Sequence, residues 1–288
     1  MTIAFTPAVD LLSEQPLSLQ PPDLSFDALL GHFPGLAAAE AVCFTGSTAA
    51  GWGNPFSDID ILAFSDDALT LPVDETMETW PGSAPSGLRW HNWMGRYGDS
   101  RIDIKVWSTG ALTEALAPCL GQEPEFFSHA GIGHGVQGAI PDFIYRFSIG
   151  VPLKNEDFFA NGRRMIDSSS YGRSMARALK VAAENALTDV AGQLLASDWT
   201  TARLSAEAAA ANVADMCLVL VGDYCRNRKW LFRRLDQRPE CGMSAKEYRS
   251  QVMNGPLAGE SDGNCAYRTA RWAQSHLVRV EPAVLGTE

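Results

Sequence analysis

CFTGSTAAGWGNPFSDIDILAF (43–64) is the stretch that decides how this chain folds. An apolar run, AAEAVCFT, enters it as a strand and breaks at the small residues Gly46-Ser47. The chain resumes in SDIDILAF (57–64), where acid and aliphatic residues alternate, the period-two mark of a strand with one face in the core. Side chains at i and i+2 of a strand share a face, roughly 6.5–7 Å apart. Asp58 and Asp60 therefore point one way, and Ile59 and Ile61 point into the core. Neighbouring carboxylates repel, and a cation between them relieves the cost of folding them together. Hard oxygen donors of this kind suit Mg²⁺, which keeps some waters and shares substrate phosphates as ligands. A pair of such ions about 3.5–4 Å apart can activate an attacking hydroxyl and steady a leaving pyrophosphate. Gly46-Ser47 offers a bare backbone and a hydroxyl, which suits close approach to a phosphate.

Outward from this segment, GLRWHNWMGRYG (87–98) and SRIDIKVWS (100–108) read as two strands joined at Gly98-Asp99 in a hairpin. Asp103 is the candidate third carboxylate. By alternation it shares a face with Arg101, Lys105 and Trp107, while Ile102, Ile104 and Val106 point the other way. Arg101 and Lys105 serve there either as phosphate ligands or as charge balance for the acids.

Gly46-Ser47, a ten-residue gap, Asp58-Ile59-Asp60-Ile61 and a later Ile102-Asp103-Ile104 resemble the nucleotidyltransferase superfamily of DNA polymerase β. The motif covers roughly 43–108. The resemblance implies that Asp58 and Asp60 bind both of two Mg²⁺ ions. It implies that Asp103 binds the catalytic one and helps deprotonate the acceptor hydroxyl. Gly46 and Ser47 would hold the nucleotide's β- and γ-phosphates. In architecture, the second half resembles that of small bacterial members such as the aminoglycoside adenylyltransferases.

Before that strand pair, SFDALLGHF (25–33) has the spacing of a short helix that stops at Pro34-Gly35. After it, TGALTEALAPCL suggests a helix capped by Ser108 or Thr109. FIYRFSIGVPLKN (143–155) reads as a short helix or strand followed by a Gly-Pro turn. Beyond about residue 165 the chain turns Ala- and Leu-rich with a helical period. Asp198 marks a break between two antiparallel helices, the second of which runs through Lys229-Trp230. Two more helices follow. The expected fold is α+β: an irregular arm over 1–23, a nucleotidyltransferase domain with a mixed sheet over 24–160, and a helical substrate-binding domain over 161–288.

Several residues of the helical half carry two readings. Lys180 and Glu184, in a helix that also holds Asp189, are either a phosphate and an acceptor contact or an i, i+4 surface ion pair worth about 0.3–0.5 kcal/mol. Lys229-Trp230 resembles a Lys-Trp segment of related two-domain transferases, which implies a substrate-facing role. Otherwise Trp230 is core and the cations complement a helix C-terminus. Arg146 and Lys154 could contact nucleotide. Trp52 could stack on a base or simply pack. GIGHGVQG (131–138) is too weak to stand as a phosphate loop.

The 288 residues are 46% hydrophobic and 20% charged, an ordinary globular composition that excludes low-complexity classes. No apolar run reaches membrane-spanning length and the N-terminus lacks signal-peptide texture, so a cytoplasmic protein is expected. The six cysteines form no C-x-x-C pair, and His129 and His134 have no partners to complete a zinc site. The formal charge of −11 argues against a grip on long nucleic acid, since the basic residues gather only in CRNRKWLFRRL (225–235). The expected partners are a nucleoside triphosphate and a small acceptor, with AMP passing from ATP to a hydroxyl. An acidic cleft would suit an aminoglycoside-like acceptor. A transferase acting on a protein or a tRNA end, and an inactive interaction protein that keeps the fold, are the alternatives.

Overall fold

The computed structural model describes residues 25–54, 57–72, 78–84, 87–98, 100–120, 138–257 and 259–285. The arm expected over 1–23, His129, His134 and residues 131–137 of the Gly-rich stretch lie outside them. Helix α1 (Phe26–His32) begins where the Ser25 hydroxyl accepts from the Ala28 amide at 3.1 Å. Strand β1 (Ala41–Thr45) runs into the one-turn helix α2 (Gly46–Ala49), and β2 (Ile59–Phe64) returns antiparallel to it. Then come β3 (Glu78–Ser83), β4 (Arg89–Tyr97) and β5 (Ser100–Trp107), with the last two paired as the expected hairpin. Helices α3 (Ala111–Leu116) and α4 (Ala139–Ile149) precede the edge strand β6 (Val151–Lys154). The sheet order is β3-β4-β5-β2-β1-β6, with β2 and β5 parallel to each other.

The alternation of β2 and β5 sorts their side chains between two cores. Ile59, Ile61, Ile102 and Ile104 meet Leu29, Phe33 and Leu36 from the α1 side. On the opposite face Leu62, Phe64 and Trp107 meet Phe143 and Phe147 of α4 and Phe159 of α5 (Glu156–Ser168). Each such side chain contributes about 1.5–3 kcal/mol by leaving water. Gly162 of α5 lets that helix press on α4, since a Cβ there would stand 2.3 Å from the Phe147 ring. The same apolar cluster continues into α6 (Tyr171–Leu195) and α7 (Trp199–Leu220), where buried alanines such as Ala183, Ala210 and Ala214 permit close helix approach. The last described helix (Asp262–Leu285) packs on both. Asp198 caps α7 by accepting from the Thr201 amide, as its position predicts. All six cysteines are free and buried. Among the described residues no helix is long and apolar enough to cross a membrane.

Three local expectations are corrected. Neither Ser108 nor Thr109 caps α3 through its side chain; Thr109 instead donates its hydroxyl and amide to Asp66, and Gly110 holds the cap position. The segment 143–155 holds the end of a helix that begins earlier, at Ala139, and Pro152 lies within strand β6, not in a turn. The long helix carrying Lys229-Trp230 does not exist. It ends at Leu220, because Gly222 takes φ +82° and the Asp223 amide folds back onto the Leu218 carbonyl. Lys229 and Trp230 sit in a separate 3-10 turn (Arg228–Trp230) ahead of α8 (Leu231–Gln237).

Candidate active site

Asp60 and Asp103 are direct register partners on the adjacent parallel strands β2 and β5. Alternation turns both toward the α4 side of the sheet. Burial pushes the Asp60 carboxyl above the usual carboxylate range; Arg146 opposes that rise and the Asp103 charge adds to it. Asp103 is raised for the same first reason, with Lys105 and Arg146 opposing and Asp58 adding. Asp103 Oδ1 is buried without a hydrogen-bond partner. Asp58 stands just ahead of β2, its Oδ2 taking Arg101 Nη2 at 2.5 Å.

The Gly46-Ser47 turn is fitted to these acids. Gly46 has φ +76°, and a Cβ on it would fall 1.9 Å from Asp60 Oδ2. Only glycine lets the backbone lie so close to that carboxylate. The loop that follows is closed by the Trp52 amide donating to the Ser47 carbonyl at 2.8 Å. Trp52 itself is buried, stacked on Tyr145 and tilted against Trp230, with its indole N–H on Gln237 at 2.8 Å. It packs, and so takes the second of its two readings.

Cations face the acids from α4 and β5. Arg146 Nη1 lies 2.6 Å from Asp60 Oδ1, and its Nε lies 2.8 Å from Asp142 Oδ2. Lys105 Nζ reaches the same Asp142 oxygen at 3.5 Å. The Thr45 hydroxyl donates to the Arg146 carbonyl at 2.5 Å and ties α4 to β1. Arg101 thus pairs with Asp58, and Lys105 with Asp142. Lys154 lies elsewhere, donating to the Ala37 and Ala39 carbonyls.

The opposite wall is the irregular segment 225–230. Its shape comes from Arg234, fully buried, which donates to Asp223 through Nε and to Asp215 through Nη1 at 2.8 Å. Asp223 Oδ1 also accepts from the Cys225 amide, and Asp215 Oδ2 takes Arg226 Nη1 at 2.9 Å. Between the two walls is a cavity of about 460 Å³. Gly46, Ser47, Asp58, Asp60, Arg101, Asp103, Arg146, Lys229 and Trp230 all line it. Lys180 and Glu184 are not brought there. They pair at 2.5 Å on α6, and Glu281 of the last described helix adds a second carboxylate to Lys180 at 3.2 Å. Asp189 is exposed on the same helix.

Sequence reasoning missed Asn54, Ser57, Asp142, Tyr145, Arg226 and Asn227 in the lining. Asp142 had a readable signal, four residues ahead of Arg146 in one helix. Arg226 and Asn227 were hidden inside the expected long helix, and Gly222 was the sign that it breaks.

Among the described residues no three Asp, Glu, His or Cys side chains are gathered closely enough to hold a metal ion as they stand. Two of the three acids are turned to guanidinium groups. The donors nevertheless fit a hard divalent cation: carboxylate oxygens only, on adjoining strands, with Asp103 Oδ1 unpartnered. No protein-family model and no curated protein matches this chain. Among solved structures, it is similar to a nucleotidyltransferase-like protein from Exiguobacterium sibiricum 255-15, with a TM-score of 0.48 and 8% identity. That likeness covers 90% of this chain and 76% of the other.

Proposed function

We propose that this chain is a divalent-metal-dependent nucleotidyltransferase that moves a nucleoside monophosphate from a triphosphate to a hydroxyl. The observation that carries the reading is the pairing of Asp60 with Asp103, both facing the cavity that the Gly46-Ser47 turn also lines. Asp58, Asp60 and Asp103 would hold Mg²⁺, two ions in the full arrangement. Bound Mg²⁺ would supply Lewis-acid stabilisation of charge developing on the transferred phosphoryl group.

The chain's own residues do the rest. The acceptor oxygen bonds to the α-phosphorus, the bond to the β-phosphate oxygen breaks, and pyrophosphate leaves. The hydroxyl proton passes to Asp103, whose carboxylate lines the same cavity. Gly46 and Ser47 hold the terminal phosphates with backbone and hydroxyl. Lys229 and Arg226 meet phosphate charge from the opposite wall. Positioning and charge neutralisation account for most of such a rate. Lys180 and Glu184 take no part. Within this reading the donor is ATP, the group AMP and the acceptor a small cationic molecule of the aminoglycoside kind, which the acidity of the chain favours.

The test is incubation with labelled nucleoside triphosphates, Mg²⁺ and a panel of hydroxylated metabolites, reading a mass gain of one nucleotide. Asp60→Asn should lower transfer by about 10²–10³-fold or more while the protein stays folded. Transfer at the wild-type rate in that variant would sink the assignment. A second reading, an interaction protein without chemistry, draws on the arginines seated on Asp58 and Asp60. It expects no Mg²⁺-dependent heat on calorimetric titration with ATP.

A further inference from the structure

We propose that Arg146 is a resident counter-cation that a divalent ion must displace from Asp60, and that Asp142 is the seat that receives it. The exchange rests on the nucleotidyltransferase reading, since that reading is what brings a metal to the acids. One guanidinium already spans both carboxylates, with Nη1 2.6 Å from Asp60 and Nε 2.8 Å from Asp142. Leaving Asp60 therefore requires side-chain rotation and no new partner. The backbone at Arg146 stays in place, because its carbonyl accepts from Thr45 Oγ1. Lys105 shares Asp142 at 3.5 Å, which partly neutralises that carboxylate and keeps it from holding Arg146 too firmly.

Arg101 on Asp58 is the internal contrast. That pair is 57% and 28% exposed, whereas Arg146 and Asp60 are 20% and 14% exposed. Water and salt screen the first pair far more than the second. Arg146 should thus govern how tightly the acids take a metal, and Arg101 should hardly matter. The unpartnered Asp103 Oδ1 is the oxygen that waits for the incoming ion.

The probe is Mn²⁺, with binding read from loss of the free-ion electron paramagnetic resonance signal and folding checked by circular dichroism. Arg146→Gln should bind Mn²⁺ about tenfold more tightly than wild type, a change of about 1.4 kcal/mol, and Arg101→Gln should stay within about threefold. Asp142→Asn should weaken binding, and that weakening should vanish in the Arg146→Gln background, because Asp142 acts through Arg146. Unchanged or weaker binding in Arg146→Gln overturns the exchange. So does an equal gain in Arg101→Gln, which would reduce the effect to net charge, or an Asp142→Asn effect that persists in full in the double variant. Should Arg146→Gln not fold, Asp142→Asn alone decides, and unchanged or tighter binding overturns the exchange. Asp103→Asn separates the two levels. If it leaves Mn²⁺ binding intact, the metal site fails and the exchange with it; if it removes binding while Arg146→Gln changes nothing, only the exchange fails.

Discussion

Arginine meets a pair of carboxylates on each side of the cavity, and the two meetings differ in kind. On the helical side Arg234, 0% exposed, is held between Asp215 and Asp223, which are 1% and 7% exposed. On the sheet side Arg146 and Arg101 reach Asp60 and Asp58 from positions open to the cavity. Burying charges costs several kcal/mol per ion, which close opposite charges must offset, so the Arg234 network cannot let one partner go without a large penalty. The pairs on the sheet side can trade a carboxylate for water or for another ion. The same residue types thus make a fixture in one wall and a set of exchangeable contacts in the other, and burial is what separates them.

Burial should show its largest effect at Arg234. Arg234→Met should destabilise the fold by about 3–5 kcal/mol in urea denaturation, since it strands Asp223 in the interior and leaves Asp215 to Arg226 alone. A loss below about 1 kcal/mol would mean that the network is not a fixture. A smaller effect of opposite sign is expected on the sheet side. Asp103 has its pKa raised by burial, so above the native value its ionised form carries a stability cost in the folded protein. As pH falls through the native value toward the ordinary 3.8, the folded state takes the proton first and the cost fades. Asp103→Asn, measured without divalent ions, should therefore be more stable than wild type at neutral pH, with the gap closing on acidification. A gap that does not change with pH would contradict the burial argument. Smallest of all is Arg101→Ala, for which thermal melting should register no more than about 1 kcal/mol, because its pair with Asp58 is mostly solvated.

The sheet side was legible because its information is local. Period-two alternation in SDIDILAF and SRIDIKVWS sets strand faces without reference to anything distant, and the acids followed from it. The expected hairpin of β4 and β5 and the helix of α1 rest on equally short-range signals. That Asp60 and Asp103 are partners in a parallel pair was not legible, since it depends on how β5 crosses to β2. The helical wall was harder still. An Ala-rich run continues its period across Gly222, so the sequence pattern carries the helix on to Trp230 where the backbone turns at φ +82°. What holds the turn is Arg234 finding Asp215 and Asp223, a tertiary arrangement that no spacing rule encodes. Lys180 and Glu184 show the converse, since their i, i+4 spacing offered the ion pair as one of two readings, and that is the pair the structure holds.

Trp52 links the two walls, and that link sets the working width of the cavity. Its indole is bonded to Gln237 and lies against Trp230 and Tyr145, and its carbonyl accepts from Arg233 at 2.6 Å. The loop leaving the Gly46-Ser47 turn and the segment from Trp230 to Gln237 are thereby spanned by one residue, like the fixed jaws of a gauge. Widening the gap would break both hydrogen bonds and expose a buried indole, so the bolt resists opening as well as slack. Any molecule entering here meets a preset opening.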